Sequence, residues 1–94
     1  MQCFKSGPDY IDPAFHALAT GRVSVNLDSW AMRRETIDAL TMRAADADIV
    51  LTEGSMGLFD GVATAGMSGT GASADIAEMM GWPEIGRASC RERV

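Results

Sequence analysis

Ninety-four residues carrying 13 acids, 8 bases and a net charge of −5 leave room for one small domain with a modest core. The acidic balance argues against a nucleic-acid or anionic-membrane surface, which needs clustered Lys and Arg, and the 47% hydrophobic content argues against disorder. Cys3 and Cys90 make no disulfide framework or metal-ligand spacing, His16 stands alone, and no apolar run approaches ~20 residues, so the expectation is a reduced, cytoplasmic protein.

Met1 to Lys5 reads as the end of a strand. Asp12-Pro13 is a helix start, with Asp as N-cap and Pro at the first helical position, and Gly21 ends that helix. Val23, Val25 and Leu27 alternate as one face of a short strand. Asp28 or Ser29 then caps a helix from about Trp30 to Ala45. Its Met32 (or Arg33), Ile37, Leu40 and Ala44 fall near helical spacing, and Arg33, Arg34, Glu35, Asp38 and Arg43 form its solvated face. Ala47 to Thr52 is a candidate buried strand. Residues 61–72, rich in Gly, Ala, Ser and Thr, suggest a mobile loop that orders around a ligand. Ser73 caps a last helix that stops at Gly81. Strand and helix alternate, which points to an α/β parallel sheet with crossover helices. Two or three strands leave faces and edges uncovered, so residues 1–83 read as part of a larger domain. Residues 84–94 carry no strand pattern and match translated sequencing-adapter sequence; they are set aside as a non-native tail.

Two loops concentrate charge. Phe4-Lys-Ser-Gly-Pro-Asp-Tyr-Ile-Asp-Pro13 sets Lys5, Asp9 and Asp12 beside a strand end, and Glu53-Gly-Ser-Met-Gly-Leu-Phe-Asp-Gly61 follows the next apolar run. Ligands bind outside the carboxyl ends of strands in open α/β sheets. Glu53, at the end of a buried strand and followed by glycine, suits a Walker-B-like Mg²⁺ site or a plain turn. Asp60-Gly61 reads more simply as a turn. Lys5 is either a solvated lysine or the contact for an anion. Asp12 has a capping job and Asp9 has none. Two carboxylates about 4 Å apart repel by roughly 1 to 4 kcal/mol across effective dielectrics of 80 to 20, and a divalent cation or a lysine between them relieves this. One shared cation would give Lys5, Asp9, Asp12 and Glu53 a single rationale. His16 reads as a core or surface residue, Met32, Met42, Met56, Met79 and Met80 as core filling, and Trp30 and Trp82 as covers over helix ends.

Three ordered motifs, Phe4 to His16, Ser24 to Met32 and Glu53 to Gly61, resemble the cobyrinic acid a,c-diamide synthases over about residues 2–83. The resemblance implies ATP- and glutamine-dependent amidation of the a and c carboxylates of cobyrinic or hydrogenobyrinic acid in cobalamin biosynthesis. The cofactor would be Mg²⁺, with ATP as cosubstrate, an acyl phosphate as intermediate and ammonia delivered by a glutaminase domain. The implied fold is P-loop-NTPase-like, akin to dethiobiotin synthetase, with a homodimer as the implied assembly. Carried over by position, Glu53 is a Mg²⁺ and substrate-carboxylate organiser. Asp9, Asp12 and Asp60 support the phosphorylated intermediate through the metal, with Asp9 also near the ion. Lys5 binds an anion, Tyr10 and Ile11 place the corrinoid side chain, and residues 66–73 form a flexible segment nearby.

The departures matter too. No G-x-x-x-x-G-K-[ST] motif is present, so the phosphate loop of that family is missing, and the 94 residues alone are expected to be inactive. A related tetrapyrrole amide synthase and a non-functional truncated reading frame are the alternatives. A ParA-like partition ATPase fits less well, having no use for Asp9-Tyr-Ile-Asp12.

Overall fold

The computed structural model describes residues 1–55 and 57–86. The predictions made for Met56, for Cys90 and for most of the 84–94 tail therefore lie outside the described residues. In chain order the elements are β1 (Gln2–Ser6), α1 (Ile11–Thr20), β2 (Val25–Leu27), α2 (Arg34–Thr41) with a 3₁₀ turn (Met42–Ala44), β3 (Val50–Glu53) and α3 (Ser73–Met80). The strands form one parallel sheet in the order β2-β1-β3. Parallel neighbours need long crossovers, and α1 and α2 supply them. This matches the α/β parallel arrangement expected from the sequence.

Side chains along β1 alternate between faces, and that alternation separates core from site. Phe4 points into the apolar core with Leu27, Ile37 and Ile76, all fully buried. Val25, Met32, Leu40, Ala44, Met79 and Met80 pack around them, and Trp82 stacks on Phe4 at 6.4 Å between ring centroids. Of the residues read at helical spacing, Ile37 and Leu40 form the core face of α2, while Met32 and Ala44 reach the core from just outside it. Lys5, one residue on, points to the opposite face, where α1 lies. The layers are α1, then sheet, then α2 and α3.

Two helix ends follow the sequence closely. Gly21 and Gly81 both adopt left-handed φ, 74° and 68°, and their N–H groups close α1 and α3.

Other expectations are corrected. The 30–45 helix begins only at Arg34. Asp28 Oδ1 does accept the N–H groups of Trp30 and Ala31, but it caps an isolated turn that precedes α2. Val23 lies outside β2 and is exposed, while its carbonyl accepts the Gln2 side-chain amide. Strand β3 is shorter than predicted and not buried: Ile49, Val50 and Leu51 are exposed, because β3 is the sheet edge and only β1 flanks it. Ser73 begins α3 without capping it; its Oγ instead accepts the Ser55 N–H at 2.9 Å. Met42 is exposed, not core filling. Trp30 covers no helix end and donates its indole N–H to the Thr64 carbonyl.

The small-residue stretch 61–72 is tied to its neighbours by hydrogen bonds. Val62 N–H bonds Thr70 O, Met67 N–H bonds Trp30 O, and Ser68 N–H bonds Ser29 O. Asp75 Oδ2 accepts from Thr70 N–H and from the Ser29 hydroxyl, and Ser29 Oγ in turn accepts the Gly71 N–H. Buried Ser29 and half-buried Asp75 thus supply side-chain anchors for this stretch.

Candidate functional site

Strand pairing puts Asn26, Lys5 and Glu53 side by side on the last rung shared by all three strands, all on the α1 face. This rung sits at the carboxyl ends of three parallel strands. Gly7, with φ 86°, then turns the chain away from β1, a conformation that a residue with a Cβ adopts only with strain. The loop that follows is held from β2: Asn26 Nδ2 donates to Gly7 O at 2.7 Å and to Asp9 O at 2.8 Å. Nothing in its spacing marked Asn26 for this task.

Lys5 is the centre of the site. Its side chain is only 6% exposed, and its Nζ donates to Asp12 Oδ2 at 2.7 Å and to Gly54 O at 3.0 Å. Asp9 Oδ2 lies 3.8 Å away and Glu53 Oε1 3.7 Å away. Burial by itself would lower the Lys5 pKa. The Asp12 hydrogen bond and the charges of Glu53, Asp12 and Asp9 outweigh it and hold the pKa above its ordinary value. The hydrogen bond from Lys5 likewise holds the Asp12 carboxyl below its ordinary range, against a smaller opposing effect of burial. Three carboxylates around one ammonium leave the cluster anionic.

The two loop acids exchange the jobs read from the sequence. Asp12 sits in the first turn of α1 and makes no cap; its carboxylate serves Lys5. Asp9, which had no evident local task, accepts the Ile11 N–H at 2.8 Å and so starts the helix as an Asx turn. A Pro inside the first turn keeps the helix intact wherever its N-cap falls, so Asp12-Pro13 did not determine the capping residue.

Helix α1 turns polar residues towards the sheet. Asp12 and His16, four residues apart, share its inner face and reach β1 and β3 respectively. Ile11, Phe15 and Leu18 lie outward, the last 82% exposed, and Tyr10 is 88% exposed at the helix start. Amphipathic packing normally does the reverse. His16 Nε2 is 2.9 Å from Glu53 Oε1, and its Nδ1 is 3.1 Å from Ser24 Oγ. His16 is thus a part-buried residue with both ring nitrogens partnered, in keeping with its reading as a core or surface residue. The signal available in the sequence for its pairing with Glu53 was its spacing from Asp12.

Asp60 is used within its own loop, where Oδ2 accepts the Gly57 N–H at 2.8 Å, in keeping with the turn reading. Among the described residues no hydrogen bond or ion pair joins Asp60 to Lys5, and no group of three His, Cys, Asp or Glu side chains is arranged to hold a metal ion. The ammonium of Lys5 occupies the point where the acids converge. Among the described residues no helix is long and apolar enough to cross a membrane.

Comparison with known proteins gives one consistent group. The chain is 61% identical over 85 residues to a hydrogenobyrinate a,c-diamide synthase of Rhodobacter capsulatus, covering 90% of this chain and 20% of the relative. It is 54% identical over 82 residues to the protein of that name from Mesorhizobium japonicum, and 48% identical over 88 residues to that from Brucella anthropi. The chain therefore spans about a fifth of the length of these relatives. No protein-family model matches, and no solved structure matches. The resemblance read from the three motifs is borne out: the segment is homologous to part of the hydrogenobyrinate a,c-diamide synthases.

Proposed function

We propose that this chain forms part of the carboxylate-activating centre of a cobalamin-pathway a,c-diamide synthase, on a P-loop-NTPase-like sheet. The reading rests on one observation: a segment 61% identical to such an enzyme folds with Asp9, Asp12 and Glu53, from two of its motifs, gathered around Lys5. The substrate would be a cobyrinic-acid-type tetrapyrrole, with glutamine as the ammonia source.

With Mg-ATP bound, the chemistry supplied is phosphorylation of a substrate carboxylate, which ammonia then converts to the amide with release of phosphate. For such an ion Asp9 and Glu53 would offer hard carboxylate oxygens, beside the Lys5 ammonium rather than in its place. The chain's own residues would orient and neutralise. Lys5, fixed by Asp12 and Gly54 O, presents a permanent positive charge to an incoming carboxylate or phosphoryl oxygen. Asp9 and Asp12 hold that ammonium in place, while Glu53 lies half-exposed at the rim, where metal or substrate can meet it. Exposed Tyr10 and Ile11 border the cluster and offer apolar surface to a flat macrocycle. Asp60 would join only through rearrangement of its loop.

A chimera tests this, with residues 1–83 replacing the matching segment of the Rhodobacter capsulatus relative. Incubated with Mg-ATP, glutamine and hydrogenobyrinic acid, it should form the diamide, and Glu53→Gln should abolish turnover with the melting temperature retained. A folded chimera that makes no amide would sink the proposal.

A further inference from the structure

Glu53 is anchored through a single oxygen. Both His16 Nε2, at 2.9 Å, and Lys5 Nζ, at 3.7 Å, approach Oε1, and among the described residues Oε2 has no hydrogen-bond partner. A carboxylate only accepts, so the proton of the His16 ring belongs on Nε2. In the neutral ring Nδ1 is then an acceptor, and the Ser24 hydroxyl 3.1 Å away donates to it. Ser24 lies immediately before β2, His16 on α1 and Glu53 at the end of β3, so the relay joins three elements across one face of the sheet. The ring is mostly shielded, with its side chain 16% exposed, whereas that of Glu53 is 51% exposed. A shielded imidazole, fixed on its far side and aimed at a rim carboxylate, suits orientation better than direct contact with a ligand.

We propose that His16, oriented by Ser24, is a positioning residue for Glu53, holding Oε1 so that Oε2 faces the ligand space above Lys5. The assignment deepens the amidation reading and rests on it for its substrate. Ser24 fixes the tautomer, His16 fixes the carboxylate rotamer, and Glu53 presents one oxygen to the Mg²⁺ or the substrate carboxylate. Removing the imidazole leaves Glu53 tethered only by the longer Lys5 contact. Outer contacts of this kind typically change activity by about 10–100-fold.

The test uses the same full-length chimera, labelled with ¹⁵N-histidine and assigned by loss of the signal in His16→Phe. The expected spectrum shows His16 as the Nε2–H tautomer, and Ser24→Ala should convert it to a mixture. An Nδ1–H tautomer, or a tautomer indifferent to Ser24→Ala, overturns the proposal. In turnover assays His16→Phe should lower kcat by about 10–100-fold with KM for ATP unchanged. His16→Gln, which keeps a side-chain N–H donor, should recover most of that loss. Equal impairment in both variants, or an unchanged kcat in His16→Phe, also overturns it. If the unmutated chimera makes no diamide, the amidation reading falls, and the tautomer experiment still decides whether Ser24 and His16 position Glu53.

Discussion

Lys5 Nζ lies 2.7 Å from Asp12 Oδ2, tying the end of β1 to the first turn of the helix that follows. The two groups are seven residues apart, and the Asp9 loop between them is pinned by Asn26. This contact makes a near-buried lysine tolerable on a sheet only three strands wide. It also sets which acid serves the site and which serves the helix. Lys5→Met should therefore leave Asp9, Asp12 and Glu53 converging without a counter-charge. Its melting temperature should fall below that of the parent chain at neutral pH and recover on acidification, as the acids protonate. A variant as stable as the parent at every pH would contradict this.

The same contact gives a pH dependence with a defined sign. Asp12 is held below its ordinary pKa by Lys5, so its contribution is complete above about pH 3.9 and is lost as pH falls through the lower folded value. Lys5 is held above its ordinary pKa, so its contribution is complete below about pH 10.4 and is lost as pH rises through the higher folded value. Thermal melts of Asp12→Asn should therefore show a shallower acid limb than the parent chain. Asp46, held low by the Arg22 hydrogen bond on the exposed surface, is the comparison site. Parallel acid limbs in the parent and Asp12→Asn would refute the assignment.

Asn26→Ala removes two hydrogen bonds to loop carbonyls, each worth about 1 kcal/mol net. Amide exchange should quicken across residues 7–11 while the core strands keep their protection. Uniform loss of protection would mean that Asn26 supports the whole fold.

Phe4→Ala should cost about 3–5 kcal/mol, since the ring is fully buried and also carries the Trp82 stack. Ile37→Val, which trims one methylene at the same centre, should cost only about 0.5–1.5 kcal/mol. Denaturant unfolding with unchanged slopes would measure both; equal losses would show that Phe4 is not the hub of the core.

Asp75→Ala should release residues 61–72 by removing the acceptor shared by Thr70 N–H and the Ser29 hydroxyl. Limited proteolysis should then cut that stretch faster than in the parent chain, with α3 still folded. Unchanged cleavage would show that the remaining backbone bonds to Ser29 and Trp30 suffice.

Local periodicity and end signals carried much of the fold. The spacing of Ile37, Leu40 and Ala44, the terminal Gly21 and Gly81, and the alternation of strands and helices are written within a few residues of each other, and each emerged as read. The charged loops also announced a cluster, because Lys5, Asp9, Asp12 and Glu53 have no common purpose apart from one another. Folding had to bring together what separation along the chain concealed. His16 and Glu53 are 37 residues apart, Ser29 and Asp75 are 46, and Lys5 meets Gly54 across 49. Strand register alone makes Asn26, Lys5 and Glu53 neighbours. The edge position of β3, and with it the exposure of an apolar run, likewise depends on strand order, which no window of sequence contains. Hydrogen bonds and charges act through distances of a few ångströms, and those distances exist only once the sheet has formed.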